Sequence, residues 1–348
     1  MTPVPPRELL GRLPKAELHC HLDGSVRPAT LLELGAEYGV TMPCEDAWEL
    51  GEYMRVPDGS SLEEYLARFE TTLSVMQTAE ALARIARELA EDAANDGVWY
   101  LETRFAPVLN AQRGLRAEEA IEAVMRGFEE ASREHGIIGR VIVCALRTLP
   151  PAVSLQLARA AVDCRDLGVV GFDLAGAERG NPASAHQEAF RYAQQAELPC
   201  TCHAGEGDGA DSVREAVQVC EVQRIGHGTR LIEDESLTDL VRSRGIALEV
   251  CLTSNVQTGA AESYETHPLR AYFDRGLMVS LSTDNRLMSG TTLTDEYEHA
   301  SRALGFTSGE LARVSLNGFE CAFLPRSERA ALGERVRAAI GALRETVP

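Results

Sequence analysis

The chain has 348 residues, 45% of them apolar and 25% charged, which is the composition of an ordinary globular protein with a sizeable core. A net charge of −19, from 53 acidic and 34 basic residues, argues against nucleic-acid or membrane partners. No apolar run reaches the ~18 residues of a membrane span, and prolines interrupt the start, where a secretory signal would need an apolar stretch. Nine scattered cysteines without a CxxC pair are typical of reduced thiols, so we expect a cytoplasmic protein.

The stretch 15–25, KAELHCHLDGS, predicts a short strand that ends in two histidines spaced one residue apart. Residues i and i+2 of a strand point to the same side, so His19 and His21 aim at one point while Cys20 faces away. Two convergent imidazoles suit Zn²⁺ or a similar divalent ion. Taken alone, the stretch also fits two partly buried histidines that only make hydrogen bonds.

Short apolar runs and helical patterns alternate along the chain. The predicted strands are 16–21, 98–107, 139–147, 169–176, 200–206, 224–230, 247–255 and 278–285. The predicted helices are 79–95, 117–135, 153–165, 183–195, 212–220, 235–244 and 268–275. About eight strand–helix units predict an α/β fold, a closed (β/α)₈ TIM barrel, with an open doubly wound sheet as the alternative. We expect one domain over residues 1–348.

Two additions to the barrel are predicted, an insertion at about 31–78 and further helices from residue 307, including 326–345. Within the insertion, Leu62, Tyr65, Leu66 and Phe69 fall at i, i+3, i+4 and i+7, which places them on one helix face. That face either packs on the barrel or closes over its mouth as a lid. The spacing alone does not separate the two interpretations.

Polar residues with catalytic potential follow several later strands: His203 and Glu206 in TCHAGEG, His227 in GHG, and Asp284 in STDN. In a barrel these strand ends meet at one mouth. Three imidazoles and a carboxylate would hold zinc with a position left for water, whose pKa falls to roughly 7, so hydrolysis is the predicted reaction class. Glu206 would shuttle a proton, with a pKa raised by burial, and His227 would orient the hydroxide or take its proton.

The motifs resemble those of the adenosine deaminases, within the metal-dependent amidohydrolase superfamily. The matching pieces occur in the family's order over nearly the whole chain: LHCHLDGS at 18–25, GFDLAGAE at 171–178, HAGE at 203–206, GHG at 226–228, EVCLTSN at 249–255 and STDN at 282–285. The resemblance implies a hydrolase of C–N bonds in cyclic amidines that converts adenosine or 2′-deoxyadenosine to the inosine product and ammonia.

The resemblance also implies roles for individual residues. One Zn²⁺ per chain would be bound by His19, His21, His203 and Asp284, while Glu206 would protonate purine N1 and His227 would position the attacking hydroxide. The remaining groups would bind the purine nucleoside: the Gly176 N–H at N3, Asp23 at the ribose 5′-hydroxyl, and the residues Leu62, Tyr65, Leu66 and Phe69 closing over it. Deaminases of free adenine look like HxHIEG at the first motif, so Asp23 favours a nucleoside.

The chain departs from the family pattern at two positions. Many members carry Asp-Asp where this chain has Asp284-Asn285, and the second Asp is thought to donate a hydrogen bond to purine N7. The amide of Asn285 can donate this hydrogen bond without any pKa shift. Leu252 replaces a common proline and removes a backbone constraint but no chemistry.

Three alternatives stay open at this point. The nearest is a deaminase of the same class acting on another adenine-bearing nucleoside, such as 6-aminodeoxyfutalosine. A binuclear hydrolase with a bridging lysine is disfavoured, because the chain's only lysine, Lys15, precedes the first strand. A catalytically inactive relative is disfavoured by the complete set of ligands with Glu206 and His227. The sequence does not indicate an oligomeric state.

Overall fold

The computed structural model describes residues 4–345 and places eight parallel strands around a central axis in that part of the chain. Each strand is short and almost fully buried, as expected when helices cover a parallel sheet. The strands are β1 Lys15–His21, β2 Val98–Phe105, β3 Ile138–Leu146, β4 Val169–Ala175, β5 Thr201–Ala204, β6 Arg224–His227, β7 Ala247–Val250 and β8 Val279–Leu281.

Helices connect consecutive strands and extend the barrel at both of the predicted places. The α-helices within residues 4–345 are α1 Arg7–Arg12, α2 Pro28–Tyr38, α3 Ala47–Met54, α4 Leu62–Ala67, α5 Phe69–Leu73, α6 Ala79–Asn95, α7 Ala117–His135, α8 Pro151–Asp163, α9 Gln187–Gln195, α10 Ala210–Gln218, α11 Glu235–Arg244, α12 Leu252–Gln257, α13 Leu269–Asp274, α14 Arg286–Ser289, α15 Leu293–Leu304, α16 Ser308–Cys321 and α17 Arg326–Glu345. Short 3₁₀ turns occupy Pro107–Asn110, Arg165–Leu167, Ala183–His186 and Thr229–Glu233.

Two seams close the barrel. The strands pair as β1-β2-β3-β4 and β5-β6-β7-β8, and parallel bridges join the two groups at Phe172–Cys200 and Cys20–Asp284. At the second seam the backbone N–H of Asp284 donates to His19 O at 2.9 Å, and the N–H of His21 donates to Asp284 O at 2.7 Å. The predicted closed barrel is confirmed, and one seam runs between residues that were predicted to bind metal.

Long amphipathic helices begin and end where the apolar period predicts. α6, α7, α11 and α17 match the predicted bounds, whereas strand ends near the mouth were predicted too long. β7 ends at Val250, and residues predicted as its end form α12 instead. β8 stops at Leu281, before Asp284, whose φ of +61° lies in the left-handed region. Asp284 therefore reaches the mouth from a left-handed position beyond the end of the strand.

The insertion between β1 and α6 contains α2 to α5. The predicted single helix face is divided between α4 and α5, which meet at Arg68, and a capping box at Ser61 begins α4. Its attachment to the mouth includes hydrogen bonds from Val56 N to Met288 O (2.9 Å) and between the hydroxyls of Tyr65 and Ser289 (2.7 Å). The insertion is therefore tied to the loop that follows β8.

Charged side chains are buried along the barrel interior. Arg104 donates to Glu249 and Asp173 at 2.7 and 2.8 Å, and Arg224 donates to the other Glu249 oxygen at 2.6 Å and to Glu102. Each of these carboxylates has a guanidinium partner, which offsets the cost of removing it from water. Although burial works against ionisation, Arg104 and Arg224 hold the pKa of Glu249 well below its usual range.

Lys15 lies at the amino end of β1, the end of the barrel opposite the mouth. Its ammonium donates to the carbonyls of Leu10 and Leu13 at 2.7 and 3.1 Å, at the end of α1. These contacts satisfy carbonyl groups that the end of a helix leaves unpaired. The position explains why this amine cannot bridge metals at the mouth. In residues 4–345, no helix combines the length and the apolar character that crossing a membrane requires.

Candidate metal centre and active site

All four predicted metal ligands converge at the carboxyl ends of the strands. His19 and His21 come from β1, His203 from β5, and Asp284 from the turn after β8. Their donor atoms all lie within 4.8 Å of one another. The closest approach, 3.1 Å, joins Nε2 of His21 and Nε2 of His203, and Asp284 Oδ1 lies 3.3 and 3.4 Å from Nε2 of His19 and His21.

These distances fit a divalent cation at the centre of the cluster. Zinc–ligand bonds of about 2.0–2.2 Å require the donor atoms around one ion to lie within roughly 3–4 Å of one another. Three of the separations, 3.1 to 3.4 Å, lie in that range, and all the donor atoms lie within 4.8 Å of one another. Nε2 of His19 is buried and makes no hydrogen bond to any described residue. Facing imidazole lone pairs and one unpartnered nitrogen are the arrangement that a bound cation would satisfy.

Carboxylates behind the ligands fix which ring nitrogen faces the cluster. His19 Nδ1 donates to Glu249 at 2.8 Å, and His203 Nδ1 donates to Asp173 Oδ2 at 3.1 Å. With the proton on Nδ1, Nε2 presents its lone pair to a metal. Ser254 donates to Asp284 Oδ2 at 2.6 Å, which leaves Oδ1 turned toward the histidines. The set is thus oriented in advance for metal binding.

Glu206 lies beside this cluster on a loop held by another carboxylate. Glu178 accepts hydrogen bonds from three consecutive backbone N–H groups, those of Gly205 (3.0 Å), Glu206 (2.9 Å) and Gly207 (3.1 Å). Burial raises the pKa of Glu206 well above its usual value, and the charges of Asp284 and Glu178 add to the shift. A carboxyl group in this environment keeps its proton near neutral pH, in agreement with the expected direction of the shift.

His227 is the second residue for which the sequence predicts a role in the reaction. Its Nε2 lies 3.4 Å from Glu206 Oε2, and its Nδ1 lies 3.0 Å from Asn255 Nδ2. Its φ of +62° is left-handed, a conformation that costs a bulky residue free energy and is most often retained where a side chain must be aimed. Burial, followed by the neighbouring His19, lowers the pKa of His227 well below its usual value, so the ring is neutral.

A cavity of about 40 Å³ connects these groups to the predicted substrate residues. Its lining includes the predicted lid residues Leu62, Tyr65, Leu66 and Phe69, together with Gly176 and Asn285. The lid interpretation of the helix face is therefore favoured over simple packing on the barrel. Ligand pockets usually measure roughly 300–1,000 Å³, so the cavity in this structure is smaller than a bound nucleoside would need.

Asp23 is the predicted substrate residue that does not line the cavity. It is buried nearby, burial raises its pKa to about 7, and its Oδ1 makes no hydrogen bond to any described residue. The contact with a ribose hydroxyl therefore stays a prediction. Asn285 lines the cavity, and its Oδ1 is likewise unpartnered among the described residues.

The sequence analysis did not identify the residues that hydrogen-bond to the proposed ligands, to His227 and to the loop of Glu206. Asp173, Glu178, Glu249 and Asn255 all lie inside motifs that were recognised, but no role was assigned to them. A signal was present for two of them, because Asp173 and Glu249 are acidic residues within otherwise apolar barrel strands. A charge in such a strand requires a buried partner, which marks it as part of a network.

The barrel and its cluster of three histidines, one aspartate and two adjoining acid–base groups define a metal-dependent hydrolase. The sequence model of the adenosine deaminase family matches residues 14–339. The chain therefore belongs to the adenosine deaminase family, whose members are metal-dependent hydrolases of C–N bonds.

Individual relatives support this assignment. The chain is 44% identical to adenosine deaminase 1 of Streptomyces coelicolor, over 95% of this chain and 87% of the relative. Among solved structures, adenine deaminase from Arthrobacter aurescens superimposes with a TM-score of 0.87 at 28% identity, covering 94% of this chain and 99% of that one. An amidohydrolase from Burkholderia ambifaria with bound zinc gives a TM-score of 0.88 at 26% identity, covering 98% and 94%.

Proposed function

We propose that this chain hydrolyses adenosine and 2′-deoxyadenosine to inosine and 2′-deoxyinosine with release of ammonia. The observation that carries the proposal is that the ligand cluster, Glu206 and His227 lie together at one cavity, lined by His21, His203 and Asp284 among others. The 44% identity to an adenosine deaminase over nearly the whole chain supports adenosine as the substrate. In the overall reaction, water gives its oxygen to C6, one proton to N1 and one proton to the departing ammonia.

Zinc is the proposed metal, supported by the ligand chemistry and by the zinc-bound structural neighbour. His19, His21, His203 and Asp284 would hold it, and bound zinc would supply the Lewis acidity that makes water nucleophilic near neutral pH. The protein's own contribution is to keep the Nε2 lone pairs of His19 and His203 turned inward. The Glu249 and Asp173 carboxylates do this by accepting the Nδ1 protons.

Proton transfer is assigned to Glu206. Its buried carboxyl group would donate to purine N1 as water adds at C6, because protonation of N1 prevents negative charge from building up on the ring. Glu178 keeps the carboxyl in position by holding the backbone of the same loop. His227, whose Nε2 lies 3.4 Å from Glu206 Oε2, would contact the attacking oxygen.

The remaining cavity residues would bind the nucleoside. The Gly176 N–H would donate to N3, the Asn285 amide to N7, and Asp23 would meet the 5′-hydroxyl. Leu62, Tyr65, Leu66 and Phe69 would pack on the nucleoside and exclude bulk water. Because these residues of the insertion line the same cavity as residues of the barrel, we treat the whole chain as a single catalytic domain.

A substrate panel tests the proposal. Adenosine, 2′-deoxyadenosine, adenine and 6-aminodeoxyfutalosine are compared by ultraviolet absorbance with the purified zinc-loaded protein, and kcat/KM is expected to be highest for the first two. Adenine turning over faster than adenosine would contradict the proposal that Asp23 contacts the ribose and favours a nucleoside. A clear preference for 6-aminodeoxyfutalosine would keep the chemistry and replace the substrate.

A further inference from the structure

We propose that Asn255 and His267 are positioning residues that hold His227 as a hydrogen-bond donor toward the reacting oxygen. The inference rests on the proposed function for the statement that His227 contacts the reacting oxygen. The direction in which the hydrogen bonds donate, from His267 through Asn255 to His227, rests on hydrogen-bond geometry alone. It selects between the two roles that the sequence left open for this histidine. In this arrangement His227 orients the attacking oxygen and does not remove its proton.

The chain of hydrogen bonds begins at His267, which is buried next to α13. Its Nδ1 lies 3.0 Å from the backbone N–H of Leu269. Because a backbone N–H can only donate, this ring nitrogen accepts and carries no proton. The ring proton of His267 therefore sits on Nε2, which lies 3.1 Å from Asn255 Oδ1 and donates to it.

The second step fixes the amide of Asn255, on α12. Its Oδ1 receives the hydrogen bond from His267 and a second one from the Thr229 hydroxyl at 3.0 Å. A flipped amide would place its NH₂ against the Nε2–H of His267, so only one orientation is compatible with both contacts. The NH₂ group consequently faces His227, with Asn255 Nδ2 at 3.0 Å from His227 Nδ1.

The third step determines which ring nitrogen of His227 carries the proton. An amide NH₂ only donates, so Nδ1 of His227 accepts and the ring proton lies on Nε2. Nε2 is buried, makes no hydrogen bond to any residue between 4 and 345, and lies 3.4 Å from Glu206 Oε2. A protonated Nε2 can donate to an oxygen in the cavity but cannot accept a proton from it. The tautomer is thus set by a backbone amide two side chains away.

The substitution Asn255→Asp tests the direction with almost no change of shape. Its carboxylate accepts from His267 as before, but its second oxygen also accepts, which requires a proton on Nδ1 of His227 and reverses the tautomer. We expect kcat to fall by about 10²-fold or more with KM changed by less than about threefold, since a wrong tautomer costs roughly 10⁴-fold in a serine protease. Unchanged or increased kcat in this variant would overturn the proposal.

Two further variants separate direction from simple structural support. Thr229→Val removes the other donor to the same Asn255 oxygen but leaves the direction intact, so kcat is expected within about fivefold of wild type. His267→Gln keeps an N–H donor at the position of Nε2 and is expected to retain more activity than His267→Phe. Equal losses in the Gln and Phe variants would contradict the proposed chain of hydrogen bonds from His267 through Asn255 to His227.

A measurement that does not depend on activity completes the test. ¹⁵N–¹H correlation spectra of the zinc-loaded wild-type protein report which ring nitrogen of His227 is protonated. We expect an unprotonated Nδ1 and a protonated Nε2, and the reverse assignment overturns the inference. If the wild-type protein failed to deaminate adenosine while this tautomer was observed, the proposed function would be wrong, but the proposed hydrogen-bond chain to His227 would be supported.

Discussion

His19 and Asp284 are joined twice across the seam that closes the barrel. The backbone N–H of Asp284 donates to His19 O at 2.9 Å, and the Asp284 carboxylate lies 3.3 Å from the Nε2 of the same histidine. A cation bound between these side chains would therefore also tie β1 to the end of β8. The proposed metal ligands and the seam that closes the barrel thus share residues.

Removal of the metal is expected to affect both activity and stability. Chelation should abolish deamination and lower the melting temperature, because a ligand that binds only the folded state stabilises it. Stoichiometric Zn²⁺ should restore both, whereas Mg²⁺, which prefers six oxygen ligands, should restore neither. Metal analysis, thermal melts and turnover of adenosine provide the measurements. Full activity in protein shown to be metal-free would refute the metal role.

Glu206→Gln is expected to lower kcat by several orders of magnitude, as the amide cannot give a proton to N1. The fold and the metal content should not change, because Glu206 is not one of the four proposed ligands. Asp208→Asn, an exposed change two residues away, serves as the matched control and should have wild-type kinetics. Near-native turnover by the Gln variant would exclude Glu206 as the proton donor.

Glu178→Gln should lower kcat by about 10- to 100-fold with a smaller change in KM. Both carboxylate oxygens of Glu178 accept backbone N–H groups, and a glutamine must turn its NH₂ toward at least one of them. The loop that carries Glu206 would shift as a result. Steady-state kinetics measure the effect, with the exposed Glu188→Gln as the control. If the two variants behaved alike, the loop would have to be held by other contacts.

Gly24→Ala is expected to raise KM for adenosine by about tenfold and to lower the melting temperature. A Cβ at this position would lie 1.7 Å from Oδ1 and 2.7 Å from Cβ of Asn285, so the whole side chain must move. Overpacking of this kind typically costs about 1–3 kcal/mol. Gly341→Ala, in α17 with nothing within 4 Å of its new methyl group, should be neutral or stabilising. A normal KM in Gly24→Ala would argue against Asn285 as a substrate contact.

Asn285→Asp should have a mild effect or increase kcat, because the position lines the cavity and an aspartate that keeps its proton can donate to N7 as the amide does. The measurement is kcat/KM for adenosine across a pH series, with activity expected to decline at higher pH as the new carboxyl group ionises. A folded, zinc-containing variant without activity would show that the cavity is specific for the amide.

The features predicted best from the sequence are those fixed by local periodicity. α6 and α17 begin and end where their apolar period does, and His19 and His21 share a face because they are two residues apart in a strand. The convergence of His203 and Asp284 with them followed from a general rule, that the carboxyl ends of barrel strands meet. These parts required no knowledge of side-chain contacts.

The features that were not predicted depend on contacts between distant residues. Asn255 was placed in a strand but lies in α12, because the backbone turns to bring its amide against His227. The helix face from Leu62 to Phe69 was correct in composition, yet it is divided between α4 and α5 at Arg68. The periodicity of the sequence predicts neither the division at Arg68 nor the hydrogen bonds from the backbone of residues 205–207 to Glu178.

The burial of Lys15 has a practical consequence. It is the chain's single lysine, and its ammonium is enclosed by the carbonyls that end α1. Reagents that acylate ε-amines, and supports that couple through them, should therefore find no accessible lysine in the folded enzyme. Attachment through the half-buried thiol of Cys44, in the loop before α3, offers a different handle for labelling or immobilisation.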